Sequence, residues 1–321
     1  MRIISRYGND RVATVTVAEF DGQRIECVES VQPGVPREEK WVLVLSCTIG
    51  CPVRCLMCDA GRECHGLLSK EQMFAQIDYL VRRRYPDGVV PARKFKVQFT
   101  RMGEPTFNPA VLDVLEELPR RYDAPGLLPS VSTVAPLHCL PFLDRLKDIK
   151  NRLYDGGRFQ MQFSLHTTDT EKRDVLIPIR KLRFEDIARF GDRFMLPGDR
   201  KITLNFIVMD GYPIDPGILK QTFDPSRFLV KLTPLNPTLS ARSHSLKTAL
   251  DPHDDRSVAP LADAIRTAGF DTIVSIGDLE ENQIGSNCGQ FLSADSSAVP
   301  SDGDVTPGRV RIALQGAASG K

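Results

Sequence analysis

Chemistry is most concentrated in Cys51-Pro52-Val53-Arg54-Cys55-Leu56-Met57-Cys58, where three cysteines stand at spacings of four and three directly after the apolar run Trp41–Leu45. A loop this short can turn three thiolates toward one point. Three thiolates on a cubane iron–sulfur cluster leave one iron without a protein ligand, whereas an electron-carrying cluster usually takes four. An open coordination position is a place for something other than protein. Zinc and three unrelated thiols are the alternatives. Zinc sites usually combine paired Cys-x2-Cys units into four ligands, and the chain has no second pair.

Further along, polar turns follow apolar runs. Phe95–Thr100 runs into Arg101-Met102-Gly103-Glu104-Pro105, where glycine lets the backbone approach a ligand closely and Glu104 can accept from an ammonium group. Other runs end in Ser132-Thr133-Val134, in Ser164-Leu165-His166 and in Thr233-Pro234-Leu235-Asn236-Pro237. Near the end stands Asn287-Cys288-Gly289-Gln290. Singly, each is ordinary turn chemistry, and a histidine after a strand is most often structural.

The elements that must position these turns alternate. Val12–Val17 and Arg24–Val28 have strand periodicity and flank the turn pair Asp21-Gly22, which predicts a hairpin over residues 12–31. Strands are predicted at Trp41–Leu45, Phe95–Thr100, Leu128–Thr133, Gln160–Leu165, Lys201–Met209, Arg227–Leu232 and Thr272–Ile276. Ser69 and Gln72 form a capping box ahead of Met73, Ile77 and Leu80, which recur at helical spacing. Further helices are predicted near Pro109–Leu118, Leu137–Ile149, Phe184–Phe194, Pro216–Phe223 and Val258–Ala268. Strand–helix repetition favours a parallel sheet, an α/β fold. In parallel α/β barrels the C-terminal strand ends build the active site, and those are the places where the polar turns fall. The expected division is an N-terminal β-hairpin extension over 1–38, the barrel over 39–290, and a disordered tail over 291–321 rich in Ser, Asp, Gly, Pro and Ala.

The 321 residues, 41% hydrophobic, suffice for one large core. No run of about 18 apolar residues exists, and Met1–Arg6 lacks the apolar stretch of a signal peptide. Eight cysteines in a chain this long, without an export signal, suggest a reducing cytoplasm rather than disulfides. The formal net charge of +1 argues against a dedicated RNA binder, which usually shows a clear basic excess.

Taken in order, the motifs resemble the radical S-adenosylmethionine (SAM) superfamily, and within it the RlmN/Cfr-type adenosine C-methyltransferases. The counterparts are Cys51/Cys55/Cys58, Arg101-Met102-Gly103-Glu104-Pro105, Ser132-Thr133-Val134-Ala135, Ser164-Leu165-His166, Ile177-Pro178, Pro234-Leu235-Asn236-Pro237 and Asn287-Cys288-Gly289-Gln290. The resemblance implies a partial (β/α)6 radical SAM barrel, a [4Fe-4S] cluster on the three cysteines, and SAM held by Gly103, Glu104, Ser132, Ser164, Leu165, His166 and Asn236, with Met57 against its adenine. It implies that Cys288 carries a methyl group, that a second SAM yields a 5′-deoxyadenosyl radical, and that the methyl carbon reaches an electron-poor aromatic carbon. Glu29, in Val28-Glu29-Ser30-Val31, matches the family's proton acceptor. It further implies an electron donor such as flavodoxin or ferredoxin.

Three departures stand out. The family's second reactive cysteine falls on Val44, with Cys47 as a substitute of uncertain strand face. The aromatic residue usual before the third cluster cysteine is Met57. The family's N-terminal accessory domain has no counterpart ahead of the hairpin. These departures favour a small nucleotide-like or heteroaromatic substrate, with RNA as the alternative. Hydrogen abstraction without methyl transfer, or a non-catalytic cluster module, are the other readings.

Overall fold

The protein, seen as a computed structural model, is described over residues 1–32, 34–61, 64–251 and 253–286. Among these residues the strands are β1 (Arg2–Gly8), β2 (Ala13–Phe20), β3 (Gln23–Val31), β4 (Trp41–Leu45), β5 (Thr48–Gly50), β6 (Cys64–Leu67), β7 (Phe95–Phe99), β8 (Leu127–Thr133), β9 (Gln160–Ser164), β10 (Ile202–Ile207), β11 (Phe228–Thr233) and β12 (Thr272–Val274). The helices are α1 (Lys70–Arg84), α2 (Ala110–Arg121), α3 (Leu140–Leu153), α4 (Thr170–Leu176), α5 (Phe184–Phe194), α6 (Pro216–Thr222), α7 (Leu239–Ser243), α8 (Ala259–Thr267) and α9 (Leu279–Ile284).

Ten strands form one sheet in the order β1-β2-β3-β4-β7-β8-β9-β10-β11-β12. From β4 to β12 every pairing is parallel, with helices in the crossovers, which is the partial barrel expected. At its leading edge the N-terminal segment differs from expectation. It is a three-stranded antiparallel meander, because β1 pairs with β2. The register of β1 slips between Ile3 and Ser5, and such an irregularity breaks the alternation that a sequence reading needs. The meander continues the barrel's sheet through β3, whose Val28 faces Val44 across an antiparallel ladder.

Each barrel strand is apolar outward and polar inward. Trp41, Leu43 and Leu45 of β4, Phe95, Val97 and Phe99 of β7, and Phe228, Val230 and Leu232 of β11 join the main core under the helices. Trp41 stacks on Phe95 with ring centroids 5.1 Å apart. Full burial of such a side chain contributes roughly 1.5–3 kcal/mol. The alternate positions, among them Lys96, Gln98, Ser132, Gln162, Ser164, Asn205 and Lys231, point the other way, into the barrel. No helix among the described residues is long and apolar enough to cross a membrane.

Candidate active site

The cysteine loop hangs between β5 and β6, which form a short antiparallel hairpin. Backbone geometry bends it. Gly50 has φ +77° and Arg54 φ +58°, and the Cys58 amide closes a turn on the Cys55 carbonyl at 3.0 Å. Gly61 packs so close that a Cβ there would stand 2.7 Å from the Arg54 Cα. The loop is anchored from outside at three points. The Leu56 amide donates to the Leu176 carbonyl at 3.0 Å, and the Thr238 hydroxyl donates to the Met57 carbonyl at 2.9 Å. Buried Asp59 accepts from the Leu239 and Ser240 amides at 3.0 and 2.7 Å, at the start of α7.

Cys51, Cys55 and Cys58 all line one cavity of about 380 Å³ at the C-terminal ends of the barrel strands. Burial pushes the Cys51 thiol up to about 12, so a thiolate there needs a cationic centre to stabilise it. Among the described residues no three His, Cys, Asp or Glu side chains could hold one metal ion together.

Opposite the cysteines, Gly103 has φ +104°, and a Cβ on it would lie 2.1 Å from the Thr48 hydroxyl. Only glycine allows that approach. Glu104 is buried and held by three donors of its own chain, the Thr106 amide at 3.1 Å, the Thr106 hydroxyl at 2.8 Å and the Val134 amide at 2.9 Å. Burial still pushes its carboxyl above the usual range against these bonds. A ligand's ammonium group would settle that charge.

His166 takes φ +66° at the end of β9, and its Nδ1 accepts from the Ile207 amide at 3.3 Å. Burial, with the Arg173 charge nearby, drives the imidazole down to about 3. It is therefore neutral at physiological pH, and with Nδ1 accepting, Nε2 carries the proton and donates. Ser132, Ser164, Asn236 and Met57 line the same cavity.

Three expectations do not join this set. Leu165 is not at the cavity but in the main core under the helices. Cys47 sits in that same core, where its thiol donates to the Met102 carbonyl at 3.5 Å. Glu29 lies on the outer face of β3, where Arg84 Nε donates to it at 3.0 Å and Arg83 also pairs with it. Cys288 lies outside the described residues.

Other groups at the cavity escaped the sequence reading. Arg101 lines it and donates through Nε to buried Glu26 at 2.9 Å, while its Nη2 donates to the Gly285 carbonyl at 2.9 Å and its Nη1 to the Ser286 carbonyl. Ile25-Glu26-Cys27-Val28 carries the same apolar-Glu-x-Val pattern as the segment containing Glu29, so the signal was present twice. Gln162, Asn205, Lys231 and Glu281 also line the cavity.

No family model matches the chain. Curated relatives do. The "Probable dual-specificity RNA methyltransferase RlmN" of Rhodopirellula baltica is 25% identical over 88% of this chain and 71% of its own length. Its namesake from Streptomyces coelicolor is 26% identical over 86% and 72%, and that of Synechococcus sp. (strain RCC307) is 26% identical over 71% and 64%. The crystal structure of a radical SAM methyltransferase from Sphaerobacter thermophilus superposes with a TM-score of 0.64, covering 85% of this chain and 76% of that one at 21% identity, a likeness of fold. Enzymes of the RlmN type use a [4Fe-4S] cluster and SAM, and the thiol triad, the buried Glu104 and the neutral His166 fit both. The chain is thus similar to methyltransferases of the RlmN type over most of its length, and its fold is that of a radical SAM methyltransferase.

Proposed function

We propose that this enzyme transfers a methyl group through Cys288 to an electron-poor sp2 carbon of a small adenine-like or other heteroaromatic substrate. The observation that carries this reading is the grip of Arg101 on the Gly285 and Ser286 carbonyls. Arg101 belongs to the turn that presents Gly103 and Glu104 to the cavity. In the sequence, Ser286 stands two residues ahead of Cys288.

When bound, cluster and SAM supply the electron and the hydrogen-abstracting radical. The chain's own residues bind and orient. Cys51, Cys55 and Cys58 hold the cluster, and Glu104 receives the SAM ammonium group. His166 offers one fixed Nε2–H donor, and Ser132, Ser164 and Asn236 supply further polar contacts. Glu26 holds Arg101 in place from behind. Glu29, on the other face of β3, has no part in this proposal, and neither does Cys47.

The relatives' names point instead to RNA as the substrate, and that is the second reading. The test is to incubate reduced, cluster-loaded enzyme with methyl-labelled SAM and, separately, unmodified ribosomal RNA, transfer RNA and a panel of small heteroaromatics. Label in a small heteroaromatic, lost in Cys288→Ala, supports the proposal. Efficient, salt-sensitive labelling of RNA with none in the small molecules overturns its substrate class, because phosphate contacts show themselves in the salt dependence.

A further inference from the structure

The barrel interior carries two cations besides the residues named above for cluster and SAM. Lys231 lines the cavity. Its position on β11 is in register with Asn205 on β10, and Asn205 with Ser164 on β9. Lys96 faces the same interior from β7, since its neighbours Phe95 and Val97 are in the outer core. Lys96 feels the charges of Lys231, Lys94, Lys40 and Arg200. Among the described residues the carboxylate that acts on Lys231 is Glu281, which burial pushes toward its neutral form.

Among the described residues neither Lys96 nor Lys231 has a carboxylate within ion-pair distance. Elsewhere the fold behaves otherwise. Buried Lys150 pairs with Asp199 and lies 4.9 Å from the centre of the Phe194 ring. Lys96 and Lys231 are half-buried side chains, and desolvation pushes both ammonium groups below their usual range. Lys231 lines the cavity and Lys96 faces the same barrel interior, so an anion from outside the chain would find both charges available.

We propose that Lys96 and Lys231 hold an oxyanion of the substrate, a phosphate or a carboxylate, inside the barrel. The substrate is then a small anionic heteroaromatic whose charged end enters first and whose ring stays at the strand ends, near the cluster loop. This rests on the reading that the cavity accepts a small substrate beside SAM.

The test uses cluster-loaded protein saturated with SAM, titrated calorimetrically with AMP and nicotinate, each beside its uncharged counterpart, adenosine and nicotinamide. The expected result is that an anionic probe binds at least about tenfold more tightly than its neutral counterpart, a difference of about 1.4 kcal/mol. Preference for AMP alone identifies a phosphate site, and preference for nicotinate alone a carboxylate site. Lys96→Met and Lys231→Met should each lose the preference while keeping the iron content. They should also melt at higher temperature than the parent without ligand, because a partly desolvated, unpaired charge is gone. Lys231→Arg should restore part of the preference. Equal binding of both members of each pair, no binding at all, or a preference that survives both Met variants overturns the proposal. So does a preference seen only without SAM, which would make SAM's own carboxylate the occupant. Cys288→Ala should keep the anion preference, so failure of the methyl-carrier reading is told apart from failure of this one.

Discussion

Strand β3 carries two buried glutamates three residues apart, and they belong to different parts of the molecule. Glu26 faces the barrel and binds Arg101, whose side chain reaches the cavity and the carbonyls of Gly285 and Ser286. Glu29 faces outward to Arg83 and Arg84 at the end of α1, and Asp10, 59% exposed, shares those arginines. Chemistry and burial are nearly the same, and the strand's two-residue period alone separates them. A carboxylate's role on a strand is therefore decided by its face before its sequence neighbours.

Removing the inner carboxylate should have the largest effect. Glu26→Gln leaves Arg101 buried with its charge uncompensated, which costs about 3–5 kcal/mol. Denaturant unfolding should show this loss, and product formation should fall with it, because Arg101 no longer fixes residues 285 and 286. The outer carboxylate offers the contrast. Glu29→Gln should cost about 1.5–3 kcal/mol, as for a hydrogen bond to a charged group, with the rate per folded molecule unchanged. A rate that collapsed for Glu29→Gln and held for Glu26→Gln would reverse the assignment of the two faces.

The inner face also depends on close backbone approach, and this sharpens the contrast. Gly103→Ala forces a Cβ toward Thr48 at a φ of +104° and should cost about 1–3 kcal/mol in strain. SAM affinity, measured by equilibrium dialysis, should drop as Glu104 shifts. An unperturbed affinity would mean that this turn is not a SAM contact.

The last contrast is a difference in acid response. His166, on the inner side, is depressed from 6.5 to about 3. Below pH 6.5 the unfolded chain takes up a proton that the folded chain refuses, so its contribution to stability is lost as pH falls from 6.5 toward 3. Asp10, on the outer side, is lowered from 3.8 to about 2, chiefly by Arg84. Its contribution is present above pH 3.8 and is lost as pH falls toward 2. His166→Gln should flatten the stability profile in the upper window and leave the lower one, while Asp10→Asn does the opposite. Coincident windows would show that the two environments do not differ as described.

The cysteine loop, the Gly103-Glu104 turn and the strand-end triplets were legible because each is local. Spacing along the chain puts them at strand ends, and the parallel topology then brings those ends together. What depends on face was harder to read. The apolar-Glu-x-Val pattern occurs at both Glu26 and Glu29, and an odd offset between them flips the side chain. Cys47, three residues from Val44, falls on the other face and in the main core. β1 was hidden by its slipped register. Lys96 and Lys231 alternate with apolar residues as a solvated face does, and only a curved sheet turns that face into an interior.

The measurement that tests the account most directly is the mass of the peptide containing Cys288, from protein made in cells with an intact cluster. The account predicts one added methylene on Cys288, absent when Cys51, Cys55 or Cys58 is changed to Ala. A fully unmodified Cys288 in cluster-loaded protein that cleaves SAM reductively would contradict it, leaving a radical enzyme that does not carry a methyl group on this residue.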